Sequence, residues 1–394
     1  MDPKKAKVIV VIAIIGGAAG TGGFLAWYFL TGQNYPACTS ATPFTAYPVE
    51  MAKIKSIAPL GNLNPPGHTF PTDHVYFYAT NMSDPFQVYS PGAITITGLQ
   101  AVHYDPPQGG ISDDYSIEFR VCRELSGKFG HINNLSALLW SKISPFGSAG
   151  DQVQSWVVAS RTYTSYKKVV SISVAAGDLL GIAGLGGGYD FWLKDRRVMR
   201  SWVNQDWPRE FQNTVCPLDY FTPSLKAGMQ LYLRDYALNP VDPPGYGGKI
   251  DFDVAGTAQG IWVRGDYTSS GSTRAEDVGL ALVYSNFNAS KGAISIGIAG
   301  ASSGTYTWDE AVYMFAPAHV GFQNRAFDEI TPSSSIYYYF YEGAGTPGAY
   351  TKAILLRMDD ASHVRIQFVD NGAIALPTDP SVNWSTPASV VYYR

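Results

Sequence analysis

Four of the six histidines in this 394-residue chain, His68, His74, His103 and His131, fall within one stretch from Pro65 to Lys194. The stretch opens PPGHTFPTDHVYFY (65–78), passes through DYSIEFRVC (114–122) and KFGHINNLS (128–136), and closes on AAGDLLGIAGLGGGYDFWLKD (175–195). Neutral imidazole with carboxylate is the donor set that a zinc-like divalent ion prefers, so the clustering is the strongest chemical clue in the sequence.

Such donors need a rigid frame. DHVYFYA, QVYSPGAITITG, DYSIEFRV, KVVSISVAAG and DLLGIAG are β-branched and aromatic runs bounded by Gly, Pro, Asn or Asp, a pattern that predicts short strands. The histidines are therefore expected on or beside a compact sheet.

The order of these motifs resembles the lysostaphin-type M23 metallopeptidase domain, a β-sheet fold also called the duplicated hybrid motif. GHTFPTDHV offers His68 with Asp73 or His74 for the family's opening His and Asp. QVYSPGAITITG (87–98) matches its hairpin, FGHINNLS places His131 at the active-site-lining histidine, and GDLLGIAGLGGGYDFWL supplies the closing glycines. The resemblance covers about a third of the chain. It implies a zinc ion held by His68, Asp73 or His74, with Asp190 standing where a ligand imidazole belongs. His131, or His74, would be the catalytic base. Two departures stand out: His68 and Asp73 are five residues apart where the family has four, and its H-x-H in the last strand is missing, with Tyr189-Asp190-Phe191 near its place. The whole body is also similar to uncharacterised secreted proteins with a degenerate domain of this type.

Ahead of the body, Met1 to Lys7 is MDPKKAK, and Val8 to Leu30 is 23 residues without a charge. At about 1.5 Å per residue, a helix of that length spans a hydrocarbon core of about 30 Å. The lysines before it favour an N-inside orientation, and Trp27-Tyr28-Phe29 suits the outer interface. The expectation is a single-pass cell-membrane anchor with the body extracytoplasmic. A cleaved signal peptide is the competing reading. The cytoplasmic tip and anchor take residues 1–33, and residues 34–56 read as a stalk.

Net charge is −4, and charged residues are only 15% of the chain against 14% aromatic; no basic run follows the N-terminal lysines, so nucleic acid is not an expected partner. The expected partners are the membrane and a cell-envelope polymer or other envelope proteins, with oligomerisation open. Three cysteines include no C-x-x-C; Cys122 and Cys216 are candidates to pair and leave Cys38 single, and buried free thiols are the alternative. Sequons stand at Asn81, Asn134, Asn288 and Asn383, each a glycosylation candidate on an outward-facing body.

The fold expected is mainly β, in two domains. The M23-like β domain takes residues 57–200. A connecting segment over 201–248 holds a short helix within TPSLKAGMQLYLRDYAL (222–238), with Pro near its first turn. From 249 to 394 the runs KIDFDVAG, GIWVRGD, GLALVYSNF, AISIGIAG, AVYMFAP, SIYYYFYEG, AILLRMDD and HVRIQFVD predict an antiparallel barrel or sandwich. Turns are expected at 359–362 and at Asn371-Gly372. Asp251 and Asp253 alternate with apolar residues and should share one face of a strand.

The function expected is a membrane-anchored envelope protein whose degenerate M23-like domain serves as a non-catalytic binding or structural module. A zinc-dependent peptidase or cell-wall hydrolase is the sharper alternative. A surface-layer, pilus or virion component, or an accessory subunit of a membrane complex, is the third. A hydrolase would place aromatics in a cleft beside His68 and His131; an assembly subunit would place them on outer faces.

Overall fold

The structure is a computed structural model that describes residues 35–65, 67–108, 110–158, 161–204, 211–241, 247–265, 267, 275–297, 302–303, 306–307, 311–341, 345–346, 349–374 and 384–394. The apolar stretch Val8 to Leu30 and the sequon residue Asn383 lie outside the described residues. Among those described, no helix is long and apolar enough to cross a membrane.

The first sheet is built from β1 (Ile54–Ala58), β2 (His74–Ala79), β3 (Phe86–Tyr89), β4 (Ile94–Gln108), β5 (Ile111–Arg120), β6 (Leu125–Leu135), β7 (Gln152–Val158), β8 (Arg161–Val174), β9 (Leu179–Ala183) and β10 (Gly188–Asp195). Their order is β1-β2-β10-β6-β5-β4-β8-β7, and β9 joins β3 to β6. A short helix, α1 (Ala137–Trp140), starts at Ser136, whose Oγ accepts from Leu139 N. Period-two alternation sets the faces. Val75, Phe77 and Ala79 of β2, with Tyr189, Phe191 and Leu193 of β10, are buried in the core, which leaves His74, Tyr76, Asp190 and Trp192 on the opposite face.

In β4 the register to both neighbours shifts between Ile96 and Gly98, so Ile94 and Ile96 are buried before the shift and Leu99 and Ala101 after it. One inserted residue keeps a long strand apolar on the same side through a bend. Past the bulge β4, β5, β8 and β7 run on as a four-stranded blade, and Gln152 to Val157 of its outer strand are all exposed.

The second sheet comprises β11 (Gly260–Arg264), β12 (Gly279–Tyr284) and β13 (Gly292–Ile296), then, beyond the small ribbon of β14 (Ser302–Ser303) and β15 (Tyr306–Thr307), β16 (Ala311–Phe315), β17 (Tyr337–Tyr339), β18 (Gly345–Thr346), β19 (Ala349–Asp360), β20 (His363–Ile374) and β21 (Val390–Tyr393). The order is β16-β13-β12-β11-β21-β20-β19-β17, antiparallel throughout, with β18 on β19. The end strands meet through Phe315 and Tyr339, ring centroids 4.8 Å apart, giving a barrel-like sheet. Inside it lie Trp262, Leu280, Leu282, Ile294 and Ile296; on the reverse face Ile261, Val263, Ala281, Val283 and Ala293 join the same core as Ile57, Leu60 and Phe70 of the first sheet.

Several expectations change. Residues 35–56 do not stand off as a stalk: Phe44, Val49 and Ile54 are buried, and Phe44 and Val49 bridge to Phe221 and Val88. Apolar residues in a Pro-rich segment dock rather than extend. Residues 87–98 form no hairpin, because β3 pairs with β9 while β4 pairs with β5 and β8. The helix is shorter than its pattern, α2 (Pro223–Gln230). Residues 249–256 form no strand; Asp253 instead accepts from the backbone of Val203 and Ile261, at 3.0 and 2.9 Å, while Asp251 pairs with Arg200. The turn at Asp360–Ser362 is present, but Asn371-Gly372 runs within β20.

The disulfide also differs. Cys38 bonds Cys122, with Cα atoms 5.2 Å apart, and Cys216 is a buried free thiol. The reason is local. Cys38 N donates to Glu124 Oε2 and Arg123 N donates to Pro36 O, which lays the 36–38 segment along the turn after β5. Cys216 faces elsewhere, its Sγ 3.5 Å from Gly247 O.

Candidate functional site

The face of β2, β10 and β6 turned away from the core carries the chemistry. Register places Trp192 opposite His74 and Asp190 opposite Tyr76 on one side, and Asp190 opposite Gly130 on the other. A Cβ on Gly130 would stand 2.7 Å from the Trp192 ring, so the missing side chain is what lets the indole lie flat across β6. The next residue, His131, has φ 57°, and the β5–β6 register shifts beside it, between Tyr115 and Ile117. A left-handed residue at a bulge re-aims its side chain. Here it brings His131 to Asp190, where plain alternation would send it to the other face.

The result is a chain of alternating carboxylates and imidazoles. Asp73 Oδ1 is 3.0 Å from His74 Nδ1 and accepts from Trp192 Nε1 at 2.8 Å. His74 Nε2 lies 3.4 Å from Asp190 Oδ2, an ion-pair distance without hydrogen-bond geometry. His131 Nε2 reaches the same Asp190 oxygen at 3.2 Å, and its Nδ1 is 2.7 Å from Asp114 Oδ2, which also accepts from Tyr104 Oη at 3.0 Å. His74 and Asp190 are buried, while the His131 side chain is 57% exposed. His68 sits beside them, its ring centroid 5.4 Å from that of His74 and 6.2 Å from that of Tyr76.

Charge in this chain is mutually held. Burial alone would raise the Asp190 pKa, but the His74 charge and the His131 hydrogen bond outweigh it and hold the carboxyl well below its ordinary range. Burial would lower His74, yet Asp190 and Asp73 raise it. His131 is likewise raised, burial being outweighed by Asp114 and Asp190. Burial and Asp190 together push the Tyr76 phenol far up, so it stays neutral. A histidine kept protonated at neutral pH donates hydrogen bonds and supplies positive charge, but it takes no proton from water.

Of the residues expected around zinc, His74, Asp73 and Asp190 are joined in this chain, as is His131, and His68 packs against His74. They do not converge on one point. Among the described residues, the group whose ligand atoms all lie within 4.8 Å of one another is Cys38, Cys122 and Glu124, and its two cysteines are spent in the disulfide. As the side chains stand, the histidine cluster does not fit a bound zinc. The sequence reading missed Asp114, Trp192 and Tyr104. Trp192 follows Asp190 by two, so strand alternation alone puts it on the same face.

Asn81, Asn134 and Asn288 are exposed. The Asn134 Oδ1 accepts from Trp140 Nε1 at 3.1 Å, and that of Asn288 from Ser290 Oγ at 2.7 Å.

No family model matches the chain, and no curated protein matches it. Among solved structures it is similar to Csd3 of Helicobacter pylori, from the orthorhombic crystal, at 14% identity and a TM-score of 0.23, over 46% of this chain and 35% of that one. The chain thus spans about a third of that structure's length. A likeness at that TM-score carries no argument for fold or function.

Proposed function

We propose that the chain is an extracytoplasmic envelope protein in which a degenerate M23-like sheet acts as a non-catalytic binding or structural module. The observation that carries this reading is the alternating pairing of Asp73, His74, Asp190, His131 and Asp114, with Trp192 donating to Asp73. Every imidazole nitrogen of His74 and His131 faces a carboxylate, and His131, the residue expected to act as base, is held in its protonated form. The Cys38–Cys122 disulfide supports an oxidising compartment, where such bonds persist.

One feature favours zinc hydrolysis as a second reading. His74 and His131 each set Nδ1 against a carboxylate of their own and turn Nε2 toward Asp190, the arrangement in which outer carboxylates orient metal-binding imidazoles. Metal content decides between the readings. The purified full chain, handled without chelators, is analysed by mass spectrometry beside His74→Ala and His131→Ala. The binding-module reading expects far less than one zinc per chain in all three. One zinc per chain in the wild type, lost in both variants, would overturn it in favour of the hydrolase.

A further inference from the structure

We infer that the end of the first sheet made by the β5–β6 turn and the segment after β10 rests on the membrane surface, its arginines against anionic lipid headgroups. The inference rests on reading Val8 to Leu30 as a membrane span with the body outside. The tether sets the distance. Residues 35–56 dock on the body, and the docking begins at once: the Tyr35 ring lies 5.4 Å from the Arg120 guanidinium, Pro36 O accepts from Arg123 N, and Cys38 is bonded to Cys122. Pro36 follows Leu30 by six residues. At no more than about 3.6 Å per residue, the β5–β6 turn can stand no further than roughly 20 Å from the end of the apolar stretch. The disulfide thus holds this end of the sheet beside the bilayer, and so short a tether keeps it at a high effective concentration there.

Charge selects the lipid. Asp195 pairs in register with Leu125, and Arg196 N donates to Glu124 O at 3.0 Å, so the residues after β10 lie beside the β5–β6 turn. Among the described residues here, Arg120, Arg123, Arg196, Arg197 and Arg200 stand against Glu124, Asp195 and Asp251, a surplus of positive charge. The pairs are also layered. Arg123 Nε is 2.8 Å from Glu124 Oε1, and Arg197 Nη2 is 2.6 Å from Asp195 Oδ2, but the arginine side chains are 49% and 43% exposed and their carboxylates 18% and 3%. What faces outward is guanidinium. Its planar fork of donors matches a phosphate, and basic side chains within a Debye length of about 8 Å are drawn to anionic headgroups. Met199, in the same segment, is 67% exposed, and an apolar side chain among arginines suits the boundary between headgroups and acyl chains.

Fluorescence quenching tests it. Full-length chain is reconstituted into vesicles of phosphatidylcholine, alone or mixed with phosphatidylglycerol, that carry a quencher on the headgroup. A fluorophore is attached at Met199→Cys or, on the blade, at Val157→Cys; Cys38 and Cys122 stay bonded and Cys216 is buried, so the new thiol takes the label. With phosphatidylglycerol the label at 199 is expected to be quenched and the label at 157 is not, and the difference is lost in phosphatidylcholine alone and at molar salt. Arg123→Gln/Arg197→Gln should lose the quenching, whereas Arg123→Lys/Arg197→Lys, which keeps the charge, should retain it; circular dichroism checks that each variant is folded. Equal quenching at the two positions, or quenching indifferent to lipid charge, would overturn the inference and leave the anchor standing. Release of the chain from the vesicles by alkaline carbonate would overturn the anchor reading, and this inference with it.

Discussion

Asp190 is the residue on which the candidate site turns, because it is buried with a full charge and two imidazoles share one of its oxygens. Removing one partner from a buried ion pair leaves the rest uncompensated and typically costs about 3–5 kcal/mol. Asp190→Ala should therefore lower stability by that order in urea unfolding, and Trp192→Phe, which removes one donor to Asp73, by about 1 kcal/mol. The pH dependence has a definite sign. His74 and His131 are raised, so their contribution is complete below the ordinary histidine value of about 6.5 and is lost as pH rises through their folded values. Asp190 is lowered, so its contribution is present above about 3.9 and is lost as pH falls through its folded value. Unfolding free energy should peak between roughly pH 4 and 6.5, and Asp190→Asn should flatten both flanks. A wild-type profile still rising from pH 6.5 to 8 would contradict this account. At this scale the clustering of His74 and His131 is legible in the residue types, whereas Asp190 enters only through the family resemblance. The sequence could not show that they pair with one another: the meeting depends on the bulge at His131, and no local signal distinguishes that histidine from one on the opposite face.

At the scale of elements, strands were the legible part. β2, β5, β8 and β9 fall on runs that β-branched and aromatic residues pick out, since such side chains suit a pleated, half-buried surface. What pairs with what was less legible. The 87–98 segment has the look of a hairpin, yet its strands diverge to different neighbours, because Phe86 and Val88 find burial against β9. The disulfide shows the same limit. Its partners are 84 residues apart, and the contact depends on how 35–56 docks. Closing a loop of that length removes chain entropy worth up to about 4–5 kcal/mol, though measured effects are often smaller. Cys38→Ser should lower the unfolding midpoint by the equivalent of about 2–5 kcal/mol. Non-reducing peptide mapping should recover a 38–122 cross-link, with Cys216 alkylated after denaturation only. A 122–216 cross-link would refute this pairing.

For the whole molecule, the two expected β regions are both present, but the boundary between them is a packed seam. Thr69 Oγ1 donates to Glu276 O at 2.6 Å, Phe70 N donates to Glu276 Oε2 at 2.8 Å, and Asn286 Nδ2 donates to Pro59 O at 3.1 Å. Because β11, β12 and β13 are buried on both faces, one toward the barrel interior and one toward the first sheet, unfolding should be a single transition by fluorescence and circular dichroism alike. Phe70→Ala should cost about 3–5 kcal/mol and shift that transition as a unit. Two separated transitions would show that the seam does not couple the sheets. The blade of β4, β5, β7 and β8 lies at the other extreme, with Gln152 to Val157 of its outer strand exposed on both sides. Its consequence is historical. A strand buried on two faces can accept almost no change without a compensating change across the seam, so the β11–β13 layer should alter slowly over descent. The blade, tied to the body through one end, is where a lineage could change its contacts freely while the rest of the molecule stays as it is.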